Sequence, residues 1–463
     1  MARGHTYVNV ALRSGRLTHF AGVVLLQQFF ERVRLGHLLA ESLRFHWRNT
    51  RYSISDLILS LVYPVALGLG RIETSAYLRH NGVFQYLTGL RRYPDPTTLR
   101  RFLARLGEPL ALRAFEVMHD RMRRSFFSYP AGRTSAVFDI DSTVLSVFGH
   151  QEGSAIGYNP RRVGRLSYQP LLCVERTSGD IWTGSLRAGN RHVLRDAQPM
   201  IEHALKKLPA GVRSVRLRAD AAFYDGGFFS YLEGKSVGYA IPARVTRPLS
   251  NRFGGLTYRT FKGGVELAEM GYQAMWWPLE RRMIVIRRPI PDPPSWQLTL
   301  FKMGRHLYQV IVTNLELEPL HLWRFYNGRA SMELAIRQWK HGWPLAKSPG
   351  RDWELNAAWF HLVLFAYNLV NWFKRCSVPA ALQRATIPTL REQLLCVPAS
   401  LSRPQGKVTL SLPAGYPYHE EFQQTSRTIR RLPCFDFQST GVEPWVSQWS
   451  LESVPCHKLS KKE

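Results

Sequence analysis

The sequence predicts an α/β protein with a helical N-terminal domain, a mixed-sheet core and a mixed C-terminal region. Apolar residues recur at helical spacing in the first part of the chain, as in 21–39 and 54–69. From residue 134 the period changes to the alternation of a β-strand, which begins with 136–141. With 463 residues, of which 45% are hydrophobic, the chain can bury a large core without disulfide bonds.

A regular order of elements defines the core, which we place at residues 131–375. The predicted elements are strands at 136–141, 170–175 and 181–186, a helix at 193–208, a strand at 212–220, a short helix at 228–232 and a strand at 238–243. Three strands, a helix, a strand, a helix and a strand suit a mixed sheet with helices packed on it.

Glycine and proline interrupt the core at 245–305, which we interpret as a β-rich insertion. A further strand is expected at 306–315, followed by one long helix at Pro319–Trp343. The tail from residue 376 is rich in Pro and Arg and combines short helical and extended pieces.

The charge of the chain indicates a nucleic-acid partner. Lys and Arg number 62 against 34 Asp and Glu, which gives a net charge of +28. Self-repulsion of this size destabilises a compact state unless it serves a partner, and a phosphate backbone is the usual one. We expect the helical domain 1–130 to bind DNA, and the C-terminal region 376–463 to serve DNA binding and dimerisation.

Other partners and compartments find little support in the sequence. The five cysteines contain no C-x-x-C pair, and the N-terminal segment lacks the apolar centre of a signal peptide. The apolar stretch 357–373 contains His361, Asn368 and Asn371, which indicates a buried helix rather than a membrane span. The scattered cysteines fit a reducing cytoplasm, where we place the protein. No nucleotide-binding motif of the G-x-x-x-x-G-K type occurs, so we expect a reaction that needs no ATP.

A helix start signal lies at 94–98, where proline and capping residues precede a periodic apolar run. The apolar residues of 99–106 share one face, while Arg100 and Arg101 project from the others. These arginines either form a solvated basic face or lie against DNA within a helix-turn-helix. The sequence alone leaves both interpretations open.

Two candidate catalytic acids end predicted strands. Asp139 and Asp141 lie two residues apart on one strand and so share a face, with Asp141 at the C-terminal end. Asp220 ends the strand 212–220. Carboxylates at the ends of adjacent strands can converge, although a single Asp after a strand is more often a turn or helix cap.

A third acid, Glu333, belongs to a stripe of one predicted helix that also carries Tyr326, Arg329 and Lys340. At about 100° per residue, the four positions span only about 60° of the helix circumference. The alternative interpretation is a solvated face on which Arg329 and Glu333 form an i,i+4 pair. As a set, the stripe presents a hydroxyl, a guanidinium, a carboxylate and an ammonium group together.

Three converging carboxylates suit metal-dependent cleavage of a phosphodiester. Two ions about 3.5–4 Å apart can activate a water and stabilise the leaving 3′ oxygen, and Mg²⁺ prefers carboxylate oxygens. Of the cations on the stripe, Arg329 suits bidentate contact with phosphate, whereas Lys340 supplies a point charge. The Tyr326 hydroxyl can donate a hydrogen bond to a phosphate oxygen.

These residues resemble a known family, the hairpin-forming group of bacterial DDE transposases. The spacing Tyr326-x2-Arg329-x3-Glu333-x6-Lys340 matches the signature of that group without departure. Four further segments carry the resemblance: the first-aspartate motif at 141–145, the second-aspartate motif at 220–225, the run 151–168 that is similar to the insertion-sequence family numbered thirteen-eighty, and the upstream motif at 96–103.

The resemblance implies an RNase H-like fold for the core, with the β-rich insertion between the second Asp and the Glu. It implies that Asp141, Asp220 and Glu333 hold two Mg²⁺ ions, for which Mn²⁺ can substitute, with Asp139 as an alternative first ligand. It also implies a reaction: binding of terminal inverted repeats, nicking, hairpin formation and strand transfer into target DNA. We expect a homodimer on paired transposon ends, associated with the bacterial nucleoid.

The same resemblance assigns Tyr326, Arg329 and Lys340 to the DNA strand near the cut. In relatives, hairpin formation involves a flipped base that stacks on an aromatic ring. The candidates here are the tryptophans of the insertion, for each of which a buried structural role is the alternative: Trp276, Trp277 and Trp296.

Two other functions are compatible with these residues. A structure-specific nuclease with an RNase H-like core would use the same acids without strand transfer. A non-catalytic DNA-binding protein would need none of them, and the intact acids and stripe argue against it. Joined products from transposon-end and target DNA distinguish the transposase from the nuclease.

An arginine-bearing loop follows the strand of Asp141, and Arg161, Arg162 and Arg165 either are solvated there or hold DNA phosphates beside the site. In the second case, the double substitution of Arg161 and Arg162 by Glu should weaken DNA binding. It should also flatten the dependence of affinity on salt by about two phosphate contacts. Titrations of labelled DNA at several salt concentrations measure both effects, and unchanged binding would refute the assignment.

Overall fold

The computed structural model describes residues 15–47, 51–290, 301–303, 305–435 and 437. The α-helices are α1 (Val23–Arg32), α2 (Leu35–Ser42), α3 (Ile54–Ala66), α4 (Gly82–Thr88), α5 (Pro96–Leu106), α6 (Pro109–Phe127), α7 (Val193–Lys206), α8 (Gly226–Gly234), α9 (Arg247–Ser250), α10 (Pro319–Asn327), α11 (Ala330–His341), α12 (Trp353–Ser377), α13 (Ala380–Gln383), α14 (Ile387–Leu390) and α15 (His419–Arg431).

The strands are β1 (Leu17–Thr18), β2 (Ser135–Ser142), β3 (Leu145–Ser146), β4 (Ala155–Ile156), β5 (Leu166–Tyr168), β6 (Leu171–Glu175), β7 (Asp180–Ser185), β8 (Ser214–Arg218), β9 (Val237–Pro242), β10 (Arg259–Phe261), β11 (Val265–Tyr272), β12 (Arg281–Pro289), β13 (Phe301–Met303), β14 (His306–Thr313), β15 (Ala399–Ser402) and β16 (Thr409–Ser411).

A large mixed sheet forms the centre of the molecule, with the strand order β10-β11-β12-β14-β9-β8-β2-β6-β7 and β13 paired with β14. Strand β2 is antiparallel to β6 and parallel to β8, and β8 is parallel to β9. The predicted α/β class with a mixed sheet is therefore confirmed. Because β2 and β8 are parallel neighbours, their carboxyl ends lie at the same edge of the sheet.

The glycine- and proline-punctuated stretch 245–305 contributes strands to this same sheet. Strands β10, β11 and β12 pair antiparallel in turn, and β12 pairs with β14 beside the core strand β9. The described part of the predicted insertion thus extends the central sheet. Trp296, one of its three tryptophans, lies outside the described residues.

The prediction of one long helix at Pro319–Trp343 was wrong, because the chain forms two helices, α10 and α11, that meet at Gly328 and Arg329. The physical cause is a lost helical hydrogen bond. The amide of Arg329 donates to the carbonyl of Tyr326 at 2.9 Å, while the carbonyl of Phe325 accepts from the Arg218 guanidinium instead. A side chain inserted into the hydrogen-bond ladder is a recognised cause of a helix break.

Helix α12 lies between the N-terminal helices and the sheet. It packs against α3, α5 and the edge strand β7, and its side chains are buried along most of its length. The Asn368 side chain joins α12 to β7 by two hydrogen bonds. Its oxygen accepts from the amide of Ile181 and its nitrogen donates to the Ile181 carbonyl, each at 2.9 Å. The polar residue in the apolar stretch is therefore a buried sheet contact, as expected for a buried helix.

The N- and C-terminal parts of the chain share one hydrophobic core around α12. Leu61 of α3, Phe365 of α12 and Ile429 of α15 belong to the same buried cluster. Strand β1 also pairs with β15 in a small sheet completed by β16. Within the described residues, no helix combines the length and the apolar character that a membrane crossing requires.

A buried ionic cluster joins α6 to the end of α7. Asp120 accepts from the Lys207 ammonium at 2.9 Å and also pairs with Arg123, and all three side chains are largely buried. Although burial raises it, Lys207 and Arg123 hold the pKa of Asp120 below its ordinary range, and burial lowers the pKa of Lys207 to about 8. Asp120 is therefore the carboxylate that both cations contact directly.

Asp120→Asn should lower the free energy of unfolding by about 3–5 kcal/mol, because it leaves two buried cations without their carboxylate. Urea unfolding at pH 7 measures the loss. The control is Glu202→Gln, which breaks the exposed pair between Glu202 and Lys206 and should stay within about 0.5 kcal/mol of the parent. Equal losses in the two variants would contradict a structural role for the cluster.

Candidate active site

Asp141 and Asp220 lie at the same edge of the sheet. Asp139 on β2 pairs in register with Arg218 on β8, and this pair forms one rung of the sheet. Asp141 and Asp220 each lie two residues beyond it along the chain. Asp141 is the penultimate residue of β2, and its Oδ1 accepts from the amide of Ser142 at 2.8 Å. Asp220 follows β8, and its Oδ1 accepts from the Ala222 amide at 2.9 Å, which caps a short 3-10 turn.

Glu333 approaches this edge from the first turn of α11. Its side chain is 74% exposed, and its Oε1 lies 4.0 Å from the Nη1 of Arg329. The other guanidinium nitrogen of Arg329, Nη2, lies 2.7 Å from the Oδ2 of Asp141. Arg329 thus stands between two of the predicted acids as a buried counter-charge.

The three acids lie close enough to influence one another. Burial raises the pKa of the Asp141 carboxyl to about 7. Arg329 opposes this shift, whereas the carboxylates of Asp220 and Glu333 increase it. A buried carboxyl surrounded by like charges needs a cation, and Arg329 provides part of that charge.

The carboxylates fit divalent metal ions in donor type and charge. Hard cations such as Mg²⁺ take carboxylate oxygens, and a cation would offset the burial and the repulsion that together raise the pKa of Asp141. Across the described part of the chain, no group of three or more His, Cys, Asp or Glu side chains is already gathered closely enough to hold a metal ion. Instead, Arg329 contacts Asp141, and the Glu333 side chain is 74% exposed.

Arg329 also carries a buried polar group without a partner. Its Nε has no hydrogen-bond partner among the described residues although it is shielded from solvent. Buried unpaired donors are uncommon in folded proteins and are costly. The orphaned Nε therefore favours a further anionic ligand at this guanidinium.

Tyr326 and Lys340 border the acids from α10 and α11. Burial raises the pKa of Tyr326 to about 12, and nearby Asp220, Asp141 and Glu333 contribute, so the hydroxyl keeps its proton at neutral pH. Lys340 donates from Nζ to the carbonyl of Val144 at 2.9 Å. This bond ties α11 to the segment that follows Asp141.

Asp139, the alternative first ligand, is engaged elsewhere. It is 1% exposed, and its two oxygens accept from the Nε and Nη2 of Arg218 at 2.6 and 2.8 Å. This pairing favours Asp141 as the acid that faces the site. Arg218 was not singled out from the sequence, where the only signal was a second basic residue in the short strand 214–218.

The predicted arginine loop, 157–165, joins β4 to β5 in a small sheet of order β3-β5-β4. Arg161, Arg162 and Arg165 are all exposed. The guanidinium groups of Arg162 and Arg165 each lie 5.1 Å from the ring centre of Phe148, which is itself 74% exposed. An exposed aromatic ring that holds two cations was not predicted, because nothing in the sequence marks Phe148 as a surface residue.

The other predicted DNA contacts differ in their surroundings. Arg100 of α5 forms an ion pair with Glu73, whereas Arg101 is exposed. At the turn between β11 and β12, Trp276 is 89% exposed, while Trp277 is buried among the rings of Tyr224, Phe229 and Tyr272. Trp277 therefore has the structural role that was its alternative.

Comparisons with known proteins identify a family for the chain. The family model described as "Transposase DDE domain group 1" matches residues 2–434. No curated protein matches the chain. Among solved structures, the cryo-EM structure of a piggyBac transposase synaptic complex with hairpin DNA is similar at 14% identity and a TM-score of 0.38, covering 80% of this chain and 85% of that one.

Proposed function

Since the chain belongs to the Transposase DDE domain group 1 family, we propose that it is a DNA transposase that cleaves and joins DNA with two divalent metal ions held by Asp141, Asp220 and Glu333. The observation that carries this proposal is the position of Asp141 and Asp220, each two residues beyond one rung of the parallel pair β2–β8. Glu333 faces them across Arg329.

The topology supports an RNase H-like core. Strands β7, β6 and β2 are antiparallel, and β2, β8 and β9 are parallel, which places the acids at the carboxyl edge of the parallel part. We place this core at 131–375, with 245–305 as its β-rich part. The flanking regions 1–130 and 376–463 are assigned to DNA binding, and the latter also to dimerisation.

The chemistry follows from the charges at the site. When bound, the metal ions would activate the attacking water and stabilise the leaving 3′ oxygen. The Tyr326 hydroxyl remains protonated and can donate to a phosphate oxygen. The unpaired Nε of Arg329 can do the same once its guanidinium turns from Asp141 to the substrate.

The substrate is double-stranded DNA, in agreement with the net charge of +28. By its motifs, the chain is assigned to the hairpin-forming insertion-sequence family numbered thirteen-eighty. It would bind terminal inverted repeats as a homodimer, cut through a hairpin intermediate and join the ends to target DNA in the bacterial cytoplasm. Incubation with Mg²⁺, repeat-bearing DNA and a target tests this, because a nuclease would yield nicks without hairpins or joined products.

Glu333→Gln should reduce cleavage by at least about 100-fold while end binding changes by less than about twofold. Loss of a metal ligand exceeds the 10–100-fold effect that is usual for outer-shell residues. Denaturing gels measure cleavage and mobility shifts measure binding. Glu420→Gln, an exposed acid on α15, serves as the control and should cleave like the parent. Parental cleavage by the Glu333 variant would exclude the metal assignment.

Arg329→Met should change metal binding and cleavage in opposite directions. In the absence of DNA, Mn²⁺ should bind about fivefold more tightly, roughly 1 kcal/mol, because a competing cation leaves Asp141. Cleavage should fall about 100-fold, because the phosphate loses its guanidinium partner. Calorimetry and gel assays give the two values. The control is Arg324→Met, which changes an exposed arginine on α10. Weaker Mn²⁺ binding by the Arg329 variant would contradict the role of Arg329 as a cation that competes with the metal.

A further inference from the structure

We infer that Arg218 is a positioning residue that fixes α11, and with it Glu333, against the strand ends that carry Asp141 and Asp220. Asp139 holds Arg218 in place for this task. The inference rests on the proposed function, because it concerns how the same three acids are brought into register.

The first contact of Arg218 is with the sheet. Its Nε and Nη2 bind both oxygens of Asp139 at 2.6 and 2.8 Å, and the two side chains are almost completely buried. The pair spans one rung of the parallel strands β2 and β8. A planar guanidinium bound through two nitrogens has a fixed orientation, so its third nitrogen points in a defined direction.

The second contact is with the joint between α10 and α11. The Nη1 of Arg218 donates to the Phe325 carbonyl at 2.5 Å. In a continuous helix this carbonyl would accept from the amide of Arg329, four residues on. That amide donates to Tyr326 instead. Arg218 therefore occupies a position in the helical ladder and determines where the helix breaks.

Two neighbours fit the guanidinium closely. The Phe325 ring lies over it, with 5.0 Å between the guanidinium carbon and the ring centre. A Cβ on Gly328 would overlap Nη1, so any larger residue at this position would displace the guanidinium from its place between Asp139 and Phe325. The φ of Gly328 is −56°, so an alanine here would act through this overlap and not through backbone strain.

These contacts give a short path from the sheet to all three acids. Asp141 and Asp220 lie two residues beyond the rung that Arg218 occupies. Glu333 lies eight residues beyond the carbonyl that Arg218 holds, in the first turn of the helix that starts at the joint. A buried ion pair that served only stability would not need the hydrogen bond from Arg218 to the Phe325 carbonyl. Such a pair is often no more stabilising than apolar residues in its place.

The test compares three variants of the full-length protein. Arg218→Lys removes the planar fork, since one ammonium cannot hold both Asp139 oxygens and the Phe325 carbonyl. Gly328→Ala pushes the guanidinium away while leaving Arg218 present. The control is Arg281→Lys, because Arg281 is equally buried and binds Glu233 through two nitrogens at 2.8 and 2.9 Å, away from the joint.

For Arg218→Lys and Gly328→Ala we expect cleavage to fall by about 100-fold, because a small misplacement of reacting groups can slow a reaction by that factor. The Mg²⁺ concentration for half-maximal cleavage should rise about tenfold. In protein without metal or DNA, the amides of 325–333 should exchange hydrogen at least about tenfold faster. Arg281→Lys should leave joint exchange and metal dependence unchanged. Binding of repeat-bearing DNA should stay within about threefold throughout.

The outcomes separate this inference from the proposed function. If Glu333→Gln abolishes cleavage but both test variants cleave with parental metal dependence and parental exchange at the joint, Arg218 does not position α11. If Glu333→Gln cleaves normally, the proposed function fails, and amide exchange at the joint alone decides the role of Arg218. If Arg218→Lys does not fold, cleavage and amide exchange in Gly328→Ala decide that role.

Discussion

The parallel pairing of β2 with β8 is the constraint on which the candidate site depends. It brings two acids together that are distant in sequence, because equal steps from one rung lead to Asp141 and Asp220. The rung itself is polar, since Asp139 and Arg218 face each other there in a buried environment. Such a pair can be tolerated only when its hydrogen bonds are satisfied. The Phe325 carbonyl accepts from Nη1, the Arg218 nitrogen that does not contact Asp139.

Charge balance then explains the state of the remaining groups. Asp141 is buried beside two other carboxylates, so a cation must accompany it, and without metal that cation is Arg329. Under the proposed function, the unpaired Nε of Arg329 and the exposed carboxylate of Glu333 are groups that a substrate phosphate and a metal ion would engage. Both features are expected of a site whose ligands are partly supplied by a substrate and by metal ions.

Sequence patterns predicted the parts of the structure that depend on local order. The alternation of 136–141, the strand before Asp220 and the apolar period of α12 identified strands and a buried helix. They did not predict the break between α10 and α11, because it is caused by a side chain from a distant strand. The ion pair between Arg100 and Glu73 could not be predicted for the same reason. The apolar period of a helix does not show which residues of another helix it contacts.

Lys340 connects the helix that carries Glu333 to the part of the chain that leads to the arginine loop. Its bond to the Val144 carbonyl fixes α11 to the segment between Asp141 and β3, the first strand of the small sheet that carries the loop. Within the loop, the buried Asn159 donates to Ser146 of β3 and accepts from the Arg162 amide, and these bonds connect the loop backbone to β3. The guanidinium groups of Arg162 and Arg165 both lie against the exposed Phe148 ring. Under the proposed function, a DNA strand held by these arginines would be connected to α11 through the bond between Lys340 and the Val144 carbonyl, which lies in the segment after Asp141.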